Sequence, residues 1–113
     1  MTLKGANMPH ADLFYTSDQP VKAAPLLAEI EALLLGYDSG AGQCKGRGHR
    51  VEEFHHSHMH LRLSMLPKAH RNADWARELG ERLAQTLRPH ARAETTVTVN
   101  ITFDLLHYTA LKV

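Results

Sequence analysis

The stretch MHLRLSMLPKAHRNADWARELGERLAQTLRPHARAETTVTVNITFD, residues 59–104, decides the fold because a strand, a helix and a second strand follow one another in it. Apolar and polar residues alternate at both of its ends, which is typical of strands with one buried face. Between them, apolar residues recur every four positions and predict a helix. Asn72 is the predicted N-cap of that helix, and Pro89 is its predicted end. The residues predicted to be buried are Met59, Leu61, Leu63, Met65, Trp75, Leu79, Leu83, Leu87, Val97, Val99, Ile101 and Phe103.

The first half of the chain repeats this pattern. Alternation predicts a strand over residues 11–16, and Leu26, Leu27, Ile30, Leu33 and Leu34 make the apolar stripe of a helix that runs to about Leu35. Pro25 fits the first turn of that helix, where its missing N–H costs little. The segment 43–58 predicts one or two short strands, interrupted by Gly46 and Gly48 and followed by a histidine-rich bend. Leu13 then aligns with Leu63, so the two halves share one plan.

Two strand–helix–strand units predict an α/β fold. Each unit should cross over in the right-handed sense and pair its two strands in parallel. Side by side, the units form a four-stranded mixed sheet with both helices on one face. The other face then lacks cover, and the simplest cover is another copy of the chain. We therefore predict a homo-oligomer.

Composition limits the class of protein. With 113 residues, the chain predicts a single domain over residues 9–113, preceded by an extension over 1–8. A formal net charge of +1 argues against a dedicated nucleic-acid binder. The longest apolar run is too short for a membrane span, and the first residues lack the apolar region of a signal peptide. Cys44 is the single cysteine, which fits a reducing compartment. These features predict a soluble, cytoplasmic protein.

Met8-Pro9 directly precedes the first predicted strand. If translation began at Met8 and this residue were removed, Pro9 would carry a free secondary amine. An α-amino group titrates near 7.7–8.0, and desolvation or nearby cations lower that value. Such an amine can take up and return a proton near neutral pH. If Met8 stays attached, the Pro9 nitrogen is a tertiary amide without a usable lone pair, and this chemistry fails.

The order and spacing of several short motifs resemble the 5-carboxymethyl-2-hydroxymuconate isomerase family of the tautomerase superfamily. The resemblance spans residues 8–106, nearly the whole chain. The matching pieces are Pro9-His10, Thr16-Ser17-Asp18, Cys44-Lys45-Gly46-Arg47, the strand His60-Leu61-Arg62-Leu63-Ser64-Met65, Arg71, Glu78-Leu79-Gly80-Glu81-Arg82-Leu83 and the strand over 96–103. The superfamily's fold is the repeated strand–helix–strand plan, and the family is typically trimeric.

The resemblance implies a mechanism and a substrate class. The N-terminal proline, here Pro9, acts as base and then acid, moving a proton within an unsaturated 2-hydroxy or 2-oxo dicarboxylate. Family members serve the bacterial breakdown of aromatic acids and need no cofactor. The resemblance thus implies a cytoplasmic, homotrimeric isomerase with a small dicarboxylate substrate.

Three cationic residues match or approach the family's anion-binding positions. Arg71 matches an arginine that holds a substrate carboxylate or the developing enolate, a role suited to the two parallel donors of a guanidinium. The family's other cationic position aligns with Lys45. A small shift of register would place Arg47 at that position instead. Lys and Arg are not equivalent at a bidentate site, so both assignments stay open.

A histidine cluster supports an alternative of a different class. His56, His58 and His60 would share one face of a strand, and neutral imidazoles bind zinc and other transition metals. Glu52, Glu53 and Cys44 are possible additional partners. The alternatives to the isomerase are therefore a metal-binding protein or an inactive assembly with the tautomerase fold.

Overall fold

A computed structural model describes residues 8–113. Strand β1 (His10–Thr16) is followed by helix α1 (Ala23–Tyr37) and strand β2 (Lys45–Val51). The second half of the chain contains strand β3 (His58–Ser64), helix α2 (Ala73–Leu87), a 3-10 turn (Arg88–His90) and strand β4 (Thr96–Thr102). The predicted extension over residues 1–8 lies outside the described residues except for Met8. Within the described residues, no helix is long and apolar enough to cross a membrane.

The four strands form one mixed sheet in the order β2-β1-β3-β4. β1 pairs with β2 in parallel, β3 pairs with β4 in parallel, and the two central strands are antiparallel. This confirms the predicted α/β fold of two strand–helix–strand units. In the register, His10 pairs with both Lys45 and Ser64, and Ser64 pairs with Thr102. The first residues of β1 and β2 therefore lie beside the last residues of β3 and β4, and we call this end of the strands the Pro9 end of the sheet.

Both helices contribute to a single core on one face of the sheet. The predicted alternation is confirmed in β1 and β3, where Ala11, Leu13, Met59, Leu61 and Leu63 are fully buried. Other residues predicted to be buried pack against this core but are only partly buried, namely Trp75, Val97, Val99, Ile101 and Phe103. Asn72 is the N-cap of α2, and its side-chain oxygen accepts a hydrogen bond of 2.9 Å from the Trp75 amide. Each buried leucine contributes about 1.5–3 kcal/mol to folding. The core residues are Ala11, Leu13, Leu26, Ile30, Leu34, Ala41, Met59, Leu61, Leu63, Met65, Leu79, Leu83 and Leu87.

The prediction for the segment after α1 was wrong in one respect, because β2 is a single uninterrupted strand. Gly46 and Gly48 stand inside it and pair with Ala11 and Leu13 of β1. A Cβ atom at Gly48 would lie 2.7 Å from the Cβ of Ala23, and one at Gly46 would lie 2.9 Å from a methyl carbon of Leu27. The two glycines therefore allow α1 to approach β2 closely, which is a known reason for glycine inside a strand.

The sheet face opposite the helices carries polar and aromatic side chains. Phe14 stacks on His49, with ring centroids 4.5 Å apart, and the guanidinium of Arg62 lies 5.5 Å from the Phe14 ring centre. We call this surface the open face; by strand register it comprises His10, Asp12, Phe14, Lys45, Arg47, His49, His60, Arg62, Ser64, Thr98, Asn100 and Thr102. The homotrimer stays a prediction for this face.

Candidate active site

Pro9 is buried directly before β1. Its carbonyl oxygen accepts a hydrogen bond of 2.8 Å from the Lys45 amide, which ties it to the start of β2. A cavity of about 680 Å³ opens at this end of the sheet, and its lining includes both chain neighbours of Pro9, Met8 and His10. Pro9 itself is not among the lining residues; Met8, whose carbonyl carbon is bonded to the Pro9 nitrogen, stands between that nitrogen and the cavity.

Lysine side chains supply positive charge to this cavity. Lys45 and Lys112 both line it, and the Lys45 ammonium donates a hydrogen bond of 3.2 Å to the side-chain oxygen of Gln43. Of the two residues left open for the family's second cationic position, Lys45 is the one on the cavity wall.

Arg47 lies on the same face of β2 as Lys45, but it is paired with Asp12 and is not among the residues that line the cavity. Its Nε donates to Asp12 Oδ1 at 2.8 Å and its Nη2 to Asp12 Oδ2 at 3.2 Å, a bidentate pair. His49 Nε2 also lies 2.7 Å from Asp12 Oδ1. Hydrogen bonds from Arg47 and His49 lower the pKa of Asp12 from 3.8 to about 2, although burial opposes the shift.

This ion pair yields a pH prediction. We expect the Asp12 carboxyl to titrate well below pH 3.8 in the folded chain, and we expect Arg47→Met to raise the pH midpoint of this titration. The measurement is the ¹³C chemical shift of the Asp12 carboxyl carbon as a function of pH. Because the folded pKa is lower than the unfolded one, the pair stabilises the fold above pH 3.8, and this contribution is lost as pH falls toward 2. A midpoint that is the same in both proteins would contradict the assignment.

Arg71 lies in the loop from β3 to α2, at the Pro9 end of the sheet. Its side chain has 0% exposure, and its Nη2 lies 3.1 Å from Asp38 Oδ2. Its Nη1 donates to the Leu66 carbonyl oxygen at 2.7 Å. Burial raises the pKa of Asp38, but hydrogen bonds from His70 and Arg71 outweigh it, so the net shift is downward. In this structure the buried guanidinium therefore holds a partly buried carboxylate of the chain itself, and its substrate role stays a prediction.

The histidine cluster does not form a metal-binding group. His58 Nδ1 lies 2.9 Å from the carbonyl oxygen of His56, and His60 Nδ1 lies 2.7 Å from the Thr98 hydroxyl, so two of the three rings are engaged separately. Burial raises the pKa of the Cys44 thiol to about 11, which keeps this thiol protonated at neutral pH. Over residues 8–113, no three His, Cys, Asp or Glu side chains are grouped so that they could hold a metal ion.

The C-terminal segment contributes to the cavity, which the sequence did not predict. Residues 108–112 line the cavity, and Tyr108 Oη lies 2.8 Å from His10 Nε2. The two rings meet edge to face, with centroids 5.5 Å apart. Residues 105–113 have no apolar periodicity and no motif, so no local signal indicated that they return to the start of β1.

Comparison with known proteins shows likeness at the level of structure. No protein-family model and no curated protein sequence matches the chain. A 5-carboxymethyl-2-hydroxymuconate isomerase from Deinococcus radiodurans R1 superposes with a TM-score of 0.70 and 24% identity, covering 83% of this chain and 81% of that one. A 5-carboxymethyl-2-hydroxymuconate delta-isomerase gives a TM-score of 0.67 and 17% identity, covering 94% and 89%.

A third similar structure is a probable enzyme from the thermophilic fungus Aspergillus fumigatus, with a TM-score of 0.61, 12% identity and coverage of 86% and 76%. At these identities the likeness is one of fold. The chain therefore has the tautomerase-type fold of solved proteins that are named 5-carboxymethyl-2-hydroxymuconate isomerases.

Proposed function

We propose that this protein, when its chain begins at Pro9, is a cofactor-independent isomerase of an unsaturated 2-hydroxy or 2-oxo dicarboxylate. The observation that carries the proposal is the position of Pro9, buried at the start of β1 between two residues that line a cavity of about 680 Å³. The fold shared with solved 5-carboxymethyl-2-hydroxymuconate isomerases supports it.

The proposed reaction needs only the amine of Pro9 to move a proton. The neutral amine removes a proton from one position of the substrate, the double-bond electrons shift, and the ammonium returns the proton to a carbon. Electrons and atoms balance within the substrate, so no oxidant or reductant takes part. Desolvation and nearby positive charge disfavour a protonated amine, and Lys45 and Lys112 bring positive charge to the cavity beside Met8 and His10, so the proposal expects an amine that is neutral often enough to act as a base.

The proposed substrate class follows from the charge of the cavity. Two lysines among its lining residues suit two carboxylates, since each ammonium group attracts a negative charge. Lys45 is our candidate for one carboxylate. Arg71 is a second candidate, as the resemblance implies, provided that its pair with Asp38 opens to substrate. Aromatic-acid breakdown in a bacterial cytoplasm, carried out by a homotrimer, is the proposed setting.

The test compares two forms of the protein, a Pro9-first chain and the Met1-first chain. The ultraviolet rate of ketonisation of a 2-hydroxymuconate-type dicarboxylate is measured for both. We expect the Pro9-first chain to be faster by about 10²–10⁴-fold, the usual contribution of a positioned general base. If neither chain accelerates the reaction, the isomerase proposal is wrong for this substrate class, and the inactive-assembly alternative takes its place.

A further inference from the structure

Three side chains form a hydrogen-bonded row from the open face to the cavity. Arg47 Nη2 lies 3.2 Å from His10 Nδ1, and His10 Nε2 lies 2.8 Å from the hydroxyl oxygen of Tyr108. The row starts at an arginine held by Asp12 and ends at a phenol on the cavity wall. His10, the middle member of the row, is covalently next to Pro9, so the row passes beside the proposed base.

The chemistry of the three groups fixes the direction of each hydrogen bond. A guanidinium only donates, so His10 Nδ1 must accept from Arg47 and carry no proton. The proton of the neutral ring is then on Nε2, and this N–H donates to the Tyr108 oxygen. The phenolic hydrogen of Tyr108 is left to donate elsewhere, and the cavity lies beside it.

The surroundings of His10 favour the neutral ring that this direction requires. Its pKa is lowered by burial first, and then by the charges of Arg47 and Lys45, whereas Asp12 opposes the shift. These three charged groups and the Tyr108 phenol face the ring from β1, β2 and the C-terminal segment. The directed row is therefore maintained at neutral pH.

We propose that Tyr108 is a catalytic residue that donates a hydrogen bond to the 2-oxygen of the substrate, and that His10 is the positioning residue that orients it. This inference rests on the proposed function. When Pro9 removes a proton, negative charge builds on that oxygen, and a preorganised donor stabilises the charge in the transition state. The acceptor side of the Tyr108 oxygen is already occupied by His10, so the hydroxyl cannot turn its hydrogen toward the ring.

The first experiment changes Tyr108 in the Pro9-first chain. We expect Tyr108→Phe to lower kcat for ketonisation by about 10²-fold, with a smaller change in KM, because the bond strengthens mainly in the transition state. The matched control is Tyr15→Phe, which removes a hydroxyl on the helix side of β1, and it should leave kcat unchanged. An unchanged kcat in Tyr108→Phe, or a rise in KM alone, would overturn the inference.

The second experiment separates positioning from general structure at His10. Leu at this position removes the donor, whereas Gln places an amide N–H close to the position of Nε2. We expect His10→Leu to lower kcat nearly as much as Tyr108→Phe, and His10→Gln to restore most of it. Combining His10→Leu with Tyr108→Phe should add little further loss, since both changes remove one interaction. Equal kcat values for His10→Leu and His10→Gln would contradict the positioning role.

The parent protein distinguishes the two proposals. If the unsubstituted Pro9-first chain is inactive, the proposed function fails and this inference fails with it. If that chain is active and Tyr108→Phe matches it, only the inference about Tyr108 fails. Far-ultraviolet circular dichroism of each variant shows whether a loss of kcat reflects a loss of fold.

Discussion

Arg71→Met is expected to lower the free energy of unfolding by about 2 kcal/mol, since it removes the buried guanidinium and leaves the partly buried Asp38 with His70 and the Gly40 amide as partners. The Arg71 side chain has 0% exposure, and Asp38 keeps only 12%. The substitution would also leave the Leu66 carbonyl oxygen without the 2.7 Å hydrogen bond from Nη1. The measurement is urea unfolding followed by circular dichroism at neutral pH.

The matched control for this prediction is Arg77→Met on helix α2. Arg77 pairs with Asp74 at 2.8 Å, but the two side chains are 68% and 91% exposed. A pair of this kind contributes about 0.5 kcal/mol or less. If Arg71→Met unfolds at the same urea concentration as Arg77→Met but loses ketonisation activity in the Pro9-first chain, Arg71 has the substrate role and not the structural one.

Gly48→Val is expected to lower the free energy of unfolding by about 2 kcal/mol, the usual cost of forcing extra atoms into a packed layer. A Cβ atom at this position would lie 2.7 Å from the Ala23 Cβ, and neither the strand nor the helix backbone can turn aside as a flexible side chain would. Valine favours strands, so propensity alone predicts the opposite sign. Thermal or urea unfolding of Gly48→Val shows whether the steric clash or the strand propensity of valine dominates.

Gly36→Ala is the control for the glycine prediction. Gly36 lies inside helix α1, and nothing is within 4 Å of a Cβ added there. Alanine is better than glycine in a helix by about 0.5–1 kcal/mol, so this variant should gain stability. A Gly48→Val protein as stable as the parent would show that α1 can move away from β2 at little cost.

The predictable parts of the fold were those with a local repeating pattern. Leu61 and Leu63 alternate with polar neighbours, and both are fully buried. The four-residue repeat of leucines in α2 likewise places Leu79 and Leu83 in the core. Periodicity works here because each strand or helix must bury one face, whatever its neighbours are.

The unpredicted parts depend on contacts between distant segments. From the local sequence, Gly46 and Gly48 are expected to interrupt a strand. Only the close approach of α1 explains why they lie inside one. Likewise, nothing near Tyr108 in the sequence indicates that its hydroxyl lies 2.8 Å from His10. Side-chain pairs of this kind form at long sequence separation, so no local pattern encodes them.

The sequence by itself determined the strand–helix–strand repeat, the fully buried residues of β1, β3 and the two helices, and the position of Pro9 before the first strand, because alternation and helical spacing are properties of short segments. The tertiary structure alone decided which cationic side chain lines the cavity, that Arg71 is paired with Asp38, and that the histidine rings are engaged separately. Those outcomes depend on the sheet register, which places the start of β1 beside the start of β2 and the end of β3. The register also sets the sheet face to which each side chain at the Pro9 end points.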